Sequence, residues 1–564
     1  MSKINDVVNY GAVVPAAGDL VIGTDVSDVS TDAGGETVNF LMSGIKAFVA
    51  GSPALTGTPT APTASTGTDT TQIATTAFVA ATVNLNNSVY GTLSEFLADS
   101  ISRPNGTEIY CIDVAGAFEI VSSGAGNRSD HPSNGKGLNV MPVGSVFDPI
   151  LFGAARDGVT DDAPFVQQAM DAAYLIEGTV YIAAGVWTFK SQVNVREGCT
   201  FLGSGYSFNS NTFTITGTVI NVEWGTGGVD PQEVASKAAV LFEPSTTIKA
   251  MAFNYPDVVT TNDSPAAYGA TVKAYLAASA ATTHFHSNCL LRDLFFYKSY
   301  VAMDLRGTQA RSTGTTAMLA TCRFQNILMS ALWRGIRADN ISDWSYFTNV
   351  EQQPGIIGAT FNPGSLRDYV QKQCTFIELG GLLAWLNFTR CSAWACSTGI
   401  VFQDGANGPV TFTDSSFDAC VTSIAWQCKY GTDGVPVVRF IGCTFTCFDV
   451  VQKEFGSGEV SGYVIVPSVD TLVSGLTFSG CYLFGPSYGW AWLNNTGIAV
   501  WGLIMTGCIN ANSMPASGVT NSAIVGTGNL HRTIISNNTF GGAGFSQILD
   551  GTANSDVIVV NNVV

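Results

Sequence analysis

From residue 286 onward the chain repeats one pattern: an apolar strand end, a turn-type residue, then a second strand. The segments "LLRDLFF" (290–296), "RFQNILM" (323–329), "YFTNVEQ" (346–352), "VTFTDSSF" (410–417), "VRFIGCTF" (438–445), "LTFSGCYL" (476–483), "LIMTGCIN" (503–510), "TIISNNTF" (533–540) and "IVVNNVV" (558–564) align without gaps. Their turn column reads Asp293, Asn326, Asn349, Asp414, Gly442, Gly480, Gly507, Asn537 and Asn561. These residue types tolerate a left-handed backbone. Beyond the bend another apolar residue recurs at Met303, Ile336, Ile400 and Ile424, so each unit holds at least two strands around a bend. Successive units lie about 23 to 38 residues apart: one connection varies while the strands do not, which predicts a coiled parallel β-solenoid with its loops on one side. "QKQCTF" (371–376) and "NFTRCSA" (387–393) both fit the column only 17 residues apart, which leaves one of them open to misregistration.

In this register Cys374, Cys391, Cys443, Cys481 and Cys508 each fall one residue after the turn. They are expected to stack inward in successive coils about 4.8 Å apart. Phe376, Phe417, Phe445 and Phe540 form a core ladder beside them. Parallel stacked Cβ vectors do not suit a disulfide and buried thiols are inert, so the column predicts packing and not redox or metal chemistry. Before the repeats, "LFGAARDGVTDDAPFVQQAMDAA" (151–173) sets an acidic, glycine-containing turn in front of an amphipathic helix. Asp161 or Asp162 can cap that helix, and its Phe165, Ala169, Met170 and Ala173 make one apolar face. Such a helix would cover the open strand edges at one end of the solenoid.

Upstream the organisation changes. Residues 51–83 begin as a Thr/Pro/Gly/Ala connector expected to run extended, and end in "TTQIATTAFVAATV", spaced as a short helix that needs a partner for its apolar side. Residues 1–50 and 84–146 read as two further small modules. Lys plus Arg number 25 against 43 Asp plus Glu, and a net charge of -18 repels phosphate backbones and anionic lipid surfaces. No nucleic-acid partner is expected. Uninterrupted runs of eighteen apolar residues are lacking, so no membrane insertion is expected, and the start lacks the apolar core of a signal peptide, so folding in a cytoplasm is. Thirteen cysteines form no paired CxxC array, which makes free thiols the default. His284 and His286 in "THFHS" share a strand face but show no third ligand, and "GTGG" (225–228) lacks the lysine of a phosphate loop. Neither a metal nor a cofactor is expected.

Two resemblances add to this. "FGAARDGVTDDAPFVQQAMDAA", "GTVYIAAGVWTF" (178–189) and "CTFLGSG" (199–205) resemble the start of the pectate-lyase-like right-handed parallel β-helix superfamily, the match resting on Gly153, Asp157, Gly158, Thr160, Asp161 and Asp162. The resemblance implies an all-β, single-stranded parallel β-helix over residues 147–564, with those motif residues structural. "LTGTPTAPTASTGTDTTQIATTAFV" is similar to a segment of bacteriophage tail fibres and tailspikes. That likeness implies a homotrimer in the virion tail, joined to other tail proteins through residues 1–50, that binds and often cleaves a bacterial surface polysaccharide.

Cleaving a glycosidic bond takes a general acid together with a base or nucleophile, usually two carboxylates. Glu351, Glu378, Asp404 and Asp418 lie off the turn column and near the insertion "QQPGIIGATFNPGSLRDYV". They are the candidate pair-formers, with Glu378 and Asp418 expected within two coils. Asp293 and Asp414 occupy the turn and are discounted. Trp385 and Trp394 are candidate sugar-stacking platforms, whereas Trp426 aligns with Phe402 and reads equally as core. Three readings stay open: a glycoside hydrolase, a lyase using an Arg or Lys base, and a tail fibre or structural tail protein that uses the solenoid only for binding or attachment.

Overall fold

A computed structural model describes residues 20–25, 36–41, 89–128, 135–224, 237–260, 264–275, 284–306, 309–310, 315–358, 364–429, 434–447, 463–468, 470–484, 489–493, 498–511, 522–525, 530–540, 547–550 and 556–563. The chain divides into two units, Met1–Val89 and Tyr90–Val564. Of the first, the described part is an antiparallel pair, Leu20–Asp25 with Glu36–Leu41. The connector and short helix expected over 51–83 lie outside the described residues.

The second unit opens with a helix, Leu93–Ala98, held by a capping box. The Thr92 hydroxyl accepts from the Glu95 N–H, and the Glu95 carboxylate accepts from the Thr92 N–H. Antiparallel strands Glu108–Cys111, Gly116–Val121 and Gly137–Met141 follow. Their alternate residues Ile109, Phe118, Ile120, Leu138 and Val140 point into one core because side chains on a strand change face at every step. From Val146 the strands of successive coils pair in parallel, and among the described residues the antiparallel strand pairs beyond it are two hairpins, Tyr206–Asn209 with Thr214–Val222 and Gln309–Ala310 with Thr315–Ala320.

The body is a parallel β-helix, and each complete coil contributes three strand segments. One limb stacks Leu386–Thr389, Gly408–Thr413, Pro436–Ile441, Leu476–Ser479, Ile504–Thr506, Ile534–Ser536 and Ile558–Val560. Past the bend a second limb stacks Ser392–Trp394, Ser416–Cys420, Thr444–Cys447, Tyr482–Phe484 and Ile509–Ala511. In the earlier coils Leu290–Tyr297, Arg323–Met329 and Tyr346–Gln352 run through both limbs. A separate sheet carries the third segment: Val301–Arg306, Arg334–Ser342, Thr375–Leu383, Thr398–Phe402, Thr422–Trp426 and Tyr463–Pro467. There Met303, Ile336, Ile377, Ile400 and Ile424 sit in one register, which is the apolar recurrence seen beyond the bend.

All nine residues of the turn column have a left-handed φ, between 49° and 64°. The amides of the early coils also form a ladder: Asn326 Nδ2 donates to Asp293 Oδ1 (2.9 Å) and Asn349 Nδ2 to Asn326 Oδ1 (3.0 Å). Alanine at 349 loses both the tolerated backbone and the amide bond. Asn349→Ala is expected to cost about 1–2 kcal/mol, and Asn349→Gly clearly less. Denaturant midpoints of the two variants check this, and equal losses would mean that the backbone conformation contributes little.

One residue on, Cys391, Ser415, Cys443, Cys481 and Cys508 point inward, each thiol fully buried. The column ties coil to coil: Cys391, Cys443 and Cys481 donate to the carbonyls of Phe347, Phe412 and Phe440 at 3.6, 3.5 and 3.4 Å. Further along, Asn538 Oδ1 accepts from the Cys508 N–H (2.8 Å) and Asn562 Oδ1 from the Asn538 N–H (2.9 Å). Burial pushes the Cys391 thiol up to about 12. The described cysteines are all free and buried, so a thiol reagent is expected to leave them unmodified in the native protein and to label them after denaturation. Rapid native labelling of Cys443 or Cys481 would contradict the register. Beside them Phe324, Phe347, Phe388, Phe412, Phe440 and Phe478 stack ring on ring, with centroids 4.4, 4.6, 4.6, 4.9 and 5.1 Å apart.

One stretch departs from the expected register. Leu366–Gln373 is a helix whose N-cap Ser365 accepts from the Asp368 N–H, so "QKQCTF" is a helix end running into a strand and not a coil bend. Cys374 and Phe376 therefore belong to the third segment, away from the Cys391 column, and Arg390 fills the turn position with φ 51°. Local helix signals outweighed the short match to the turn column.

The helix Ala163–Tyr174 packs over Val146–Phe147, Thr179–Ile182 and Val193–Val195, burying Val166, Ala169, Met170 and Ala173. Asp161 provides the cap, its Oδ1 accepting from the N–H groups of Ala163 (3.1 Å) and Lys190 (2.9 Å). Asp162 is wholly buried and instead gathers the N–H groups of Ala155, Arg156 and Thr188 at 2.7–3.1 Å. Asp157 closes its own turn on Val159 and Thr160, which holds its carboxyl below the usual range. The acidic motif is thus spent on backbone hydrogen bonds.

Candidate functional site

The second limb presents its alternate residues outward, and this face collects two of the four candidate carboxylates. Glu351 sits two residues past the Asn349 bend and is paired in register with Ser392, which is paired with Ser416. Two residues along, Trp394 is paired with Asp418. Glu351 and Asp418 are therefore two coils and two residues apart. That places their Cα atoms about 12 Å from one another, at ~4.8 Å per coil and ~3.3 Å per residue. Trp394 lies between them and all three are half-buried. The Gln353 side-chain amide donates to Glu351 Oε1.

The insertion after Gln352 walls this face. Its turn Pro354–Ile357 approaches Trp394 so closely that a Cβ on Gly355 would come within 2.7 Å of the ring. The Arg367 guanidinium, on the following helix, lies 5.0 Å from the Trp394 ring centroid. Desolvation lowers Arg367 to about 10, which leaves it charged at neutral pH. Two carboxylates, an indole and a cation thus share one outward surface. Such a set can stack on a sugar ring, hold its hydroxyls and serve a glycosidic bond from two sides.

Glu378 and Asp404 lie elsewhere. Glu378 is on the third segment, so the expected pairing with Asp418 is not formed: the two belong to different sheets. The misregistered "QKQCTF" stretch, ending two residues before Glu378, accounts for that expectation. Glu378 is instead 4% exposed and shared between Arg334 and Arg337, whose Nε is 2.9 Å from Oε1. It ends a ladder of alternating charge, Lys273, Asp304, Arg337 and Glu378, paired in register on successive coils. Burial opposes ionisation of Glu378, but the Arg337 and Arg334 charges outweigh it and hold the carboxyl below its ordinary value. Asp304 is held low likewise: burial opposes ionisation, and Arg306, bonded through Nε and Nη2 at 2.8 Å each, outweighs it. Asp404 is exposed in the turn after Thr398–Phe402, where Oδ1 accepts from the Lys429 N–H at 3.1 Å.

Of the tryptophans, Trp426 is fully buried and paired with Phe402 in the core. Trp385 is 49% exposed at the corner before the first limb, stacked on Trp344. Trp344 and Arg367 were not among the candidates read from sequence. A signal for Trp344 was present, because "WSYFTN" and "WLNFTR" align column for column. None existed for Arg367, whose helix occupies an insertion. Among the described residues no His, Cys, Asp or Glu cluster is arranged to hold a metal, and no helix is long and apolar enough to cross a membrane.

No family model matches the sequence. Two mannuronan C5-epimerases of Azotobacter vinelandii, AlgE3 and AlgE1, are each 41% identical over 68 residues, 12% of this chain; the match spans only 4% and 5% of the length of these curated relatives. Similar solved structures include DFA-IIIase from Arthrobacter chlorophenolicus A6 in complex with GF2, with a TM-score of 0.44 and 11% identity over 74% of this chain and 98% of that one. They also include the catalytic domain of a GH87 alpha-1,3-glucanase with tetrasaccharides, at 0.41 and 11% over 70% and 67%. Bacteriophage CBA120 tailspike protein 3 gives 0.40 and 12% over 74% and 62%. The parallel β-helix itself is defined by the strand register.

Proposed function

We propose that this chain is a tailspike of a bacteriophage and that its β-helix binds and cleaves a bacterial surface polysaccharide. The observation that carries the reading is the outward face on which Glu351, Trp394 and Asp418 meet under the Arg367 helix. A separation of about 12 Å between Cα atoms allows the carboxylates to approach the ~6.5–9.5 Å at which a water fits beside the sugar, the arrangement of inverting hydrolysis. One carboxyl then protonates the leaving oxygen while the other activates that water. In this reading residues 1–50 attach the protein to the tail, 51–83 connect, 84–146 form a neck, and three copies assemble about an axis. The tail-fibre-like "LTGTPTAPTASTGTDTTQIATTAFV" segment supports the placement.

Incubating the purified protein with an array of purified bacterial surface polysaccharides, and measuring new reducing ends, tests it. Shortened polymer with new reducing ends and saturated non-reducing ends is the expected product. An unsaturated sugar absorbing in the ultraviolet would indicate a lyase instead, and a bound but uncut polymer would leave a binding protein.

A further inference from the structure

We infer that Trp344 and Trp385 form a second glycan-binding site, separate from the carboxylate face. The two indoles occupy equivalent positions in successive coils, two residues before the register pair Tyr346 and Asn387. Their rings are parallel to within 5°, with centroids 5.9 Å apart, and they are 53% and 49% exposed. Both residues have a left-handed φ, 54° and 52°. At the same position in other coils stand Gly198, Ser245, Asn288, Thr321, Gly475, Gly502 and Arg532, all at positive φ, so the bend belongs to the coil and these two coils fill it with tryptophan. A tryptophan there costs backbone energy, and a half-exposed ring regains little of it by burial. Two large rings kept stacked and half exposed at such a position point to use of the surface.

The surroundings select the occupant. Next to the indoles the first limb turns Tyr346, Asn387, Thr348 and Thr389 outward, an array of hydroxyl and amide groups. Apolar rings beside neutral donors and acceptors match a pyranose, which has an apolar C–H face and a rim of hydroxyls. From Trp344 to Glu351 is seven residues of largely extended chain, up to about 23 Å along the strands. One polysaccharide could therefore reach both places only if extended over several sugars. The site rests on the reading of the chain as a glycan binder, but it requires no cleavage.

The test compares wild type with the Trp344→Asn/Trp385→Gly double variant on the same array of purified surface polysaccharides. Apparent melting temperature and light scattering are read in parallel. The Trp variant is expected to bind at least tenfold more weakly while its melting temperature stays level or rises, since its backbone is relieved. In wild type the bound polysaccharide should protect tryptophan from N-bromosuccinimide oxidation, with Trp344 and Trp385 among the protected residues by peptide mapping. Undiminished binding by the Trp variant, or no protection of these two rings, overturns the site and leaves the proposed function standing. A fall in melting temperature or loss of assembly together with binding overturns it too, assigning the rings to packing or a subunit contact. Wild type binding no polysaccharide on the array overturns both readings.

Discussion

Replacing Glu378 by glutamine is expected to destabilise the body by about 3–5 kcal/mol at neutral pH, the usual cost of removing one partner of a buried ion pair. The carboxylate is almost sealed from solvent and shared by Arg334 and Arg337. An amide keeps the shape but leaves two guanidinium groups facing each other without the charge that compensates them. The sign of the pH dependence follows from the direction of the shift. Because the native carboxyl is held below its unfolded value of about 4.3, its contribution is complete above that pH and fades as the pH falls through the lowered native value. Denaturant titrations of both proteins from about pH 7 down to about pH 3 should show the gap between wild type and variant closing on the acid side. A gap that does not change with pH would mean that the carboxylate's charge is not what the arginines require.

The ladder containing Glu378 also marks how far the sequence could be read. The bend column was legible because one physical demand, a left-handed backbone, selects Asn, Asp and Gly at the same place in coil after coil. The inward thiols followed from it, since position relative to a bend fixes which face a side chain takes. The third segment was only half legible. Met303, Ile336, Ile400 and Ile424 marked its core face, but its outward face carries Lys273, Asp304, Arg337 and Glu378, whose spacings in sequence of 31, 33 and 41 residues differ because the loops between coils differ. Without the register those residues are scattered charges. The one mistaken register, at Cys374, came from the same cause: a helix inserted in the coil restarts with a residue that suits the column. Of the candidate carboxylates, Glu351 and Asp418 come onto one face because both follow a well-read bend, at Asn349 and Asp414. Glu378 follows the misread one.

Asp418→Asn and Glu351→Gln are each expected to lower cleavage of the polysaccharide by about 10²–10⁴-fold, the usual loss when one acid or base of a pair is removed. That corresponds to roughly 3–5 kcal/mol of transition-state stabilisation. Binding should survive, because the Trp394 ring and its walling helix are untouched by either change. An inverting mechanism needs both groups at once, so the double variant should lose little more than the worse single one: a pair acting as a unit is not additive. The alternative, in which one carboxylate acts and the other only holds a hydroxyl, gives a large loss for one variant and a KM effect for the other. Measuring kcat and KM for the three variants, with light scattering to confirm assembly, separates these cases. Full activity in both single variants rejects the pair and leaves cleavage, where it occurs, to carboxylates off this face.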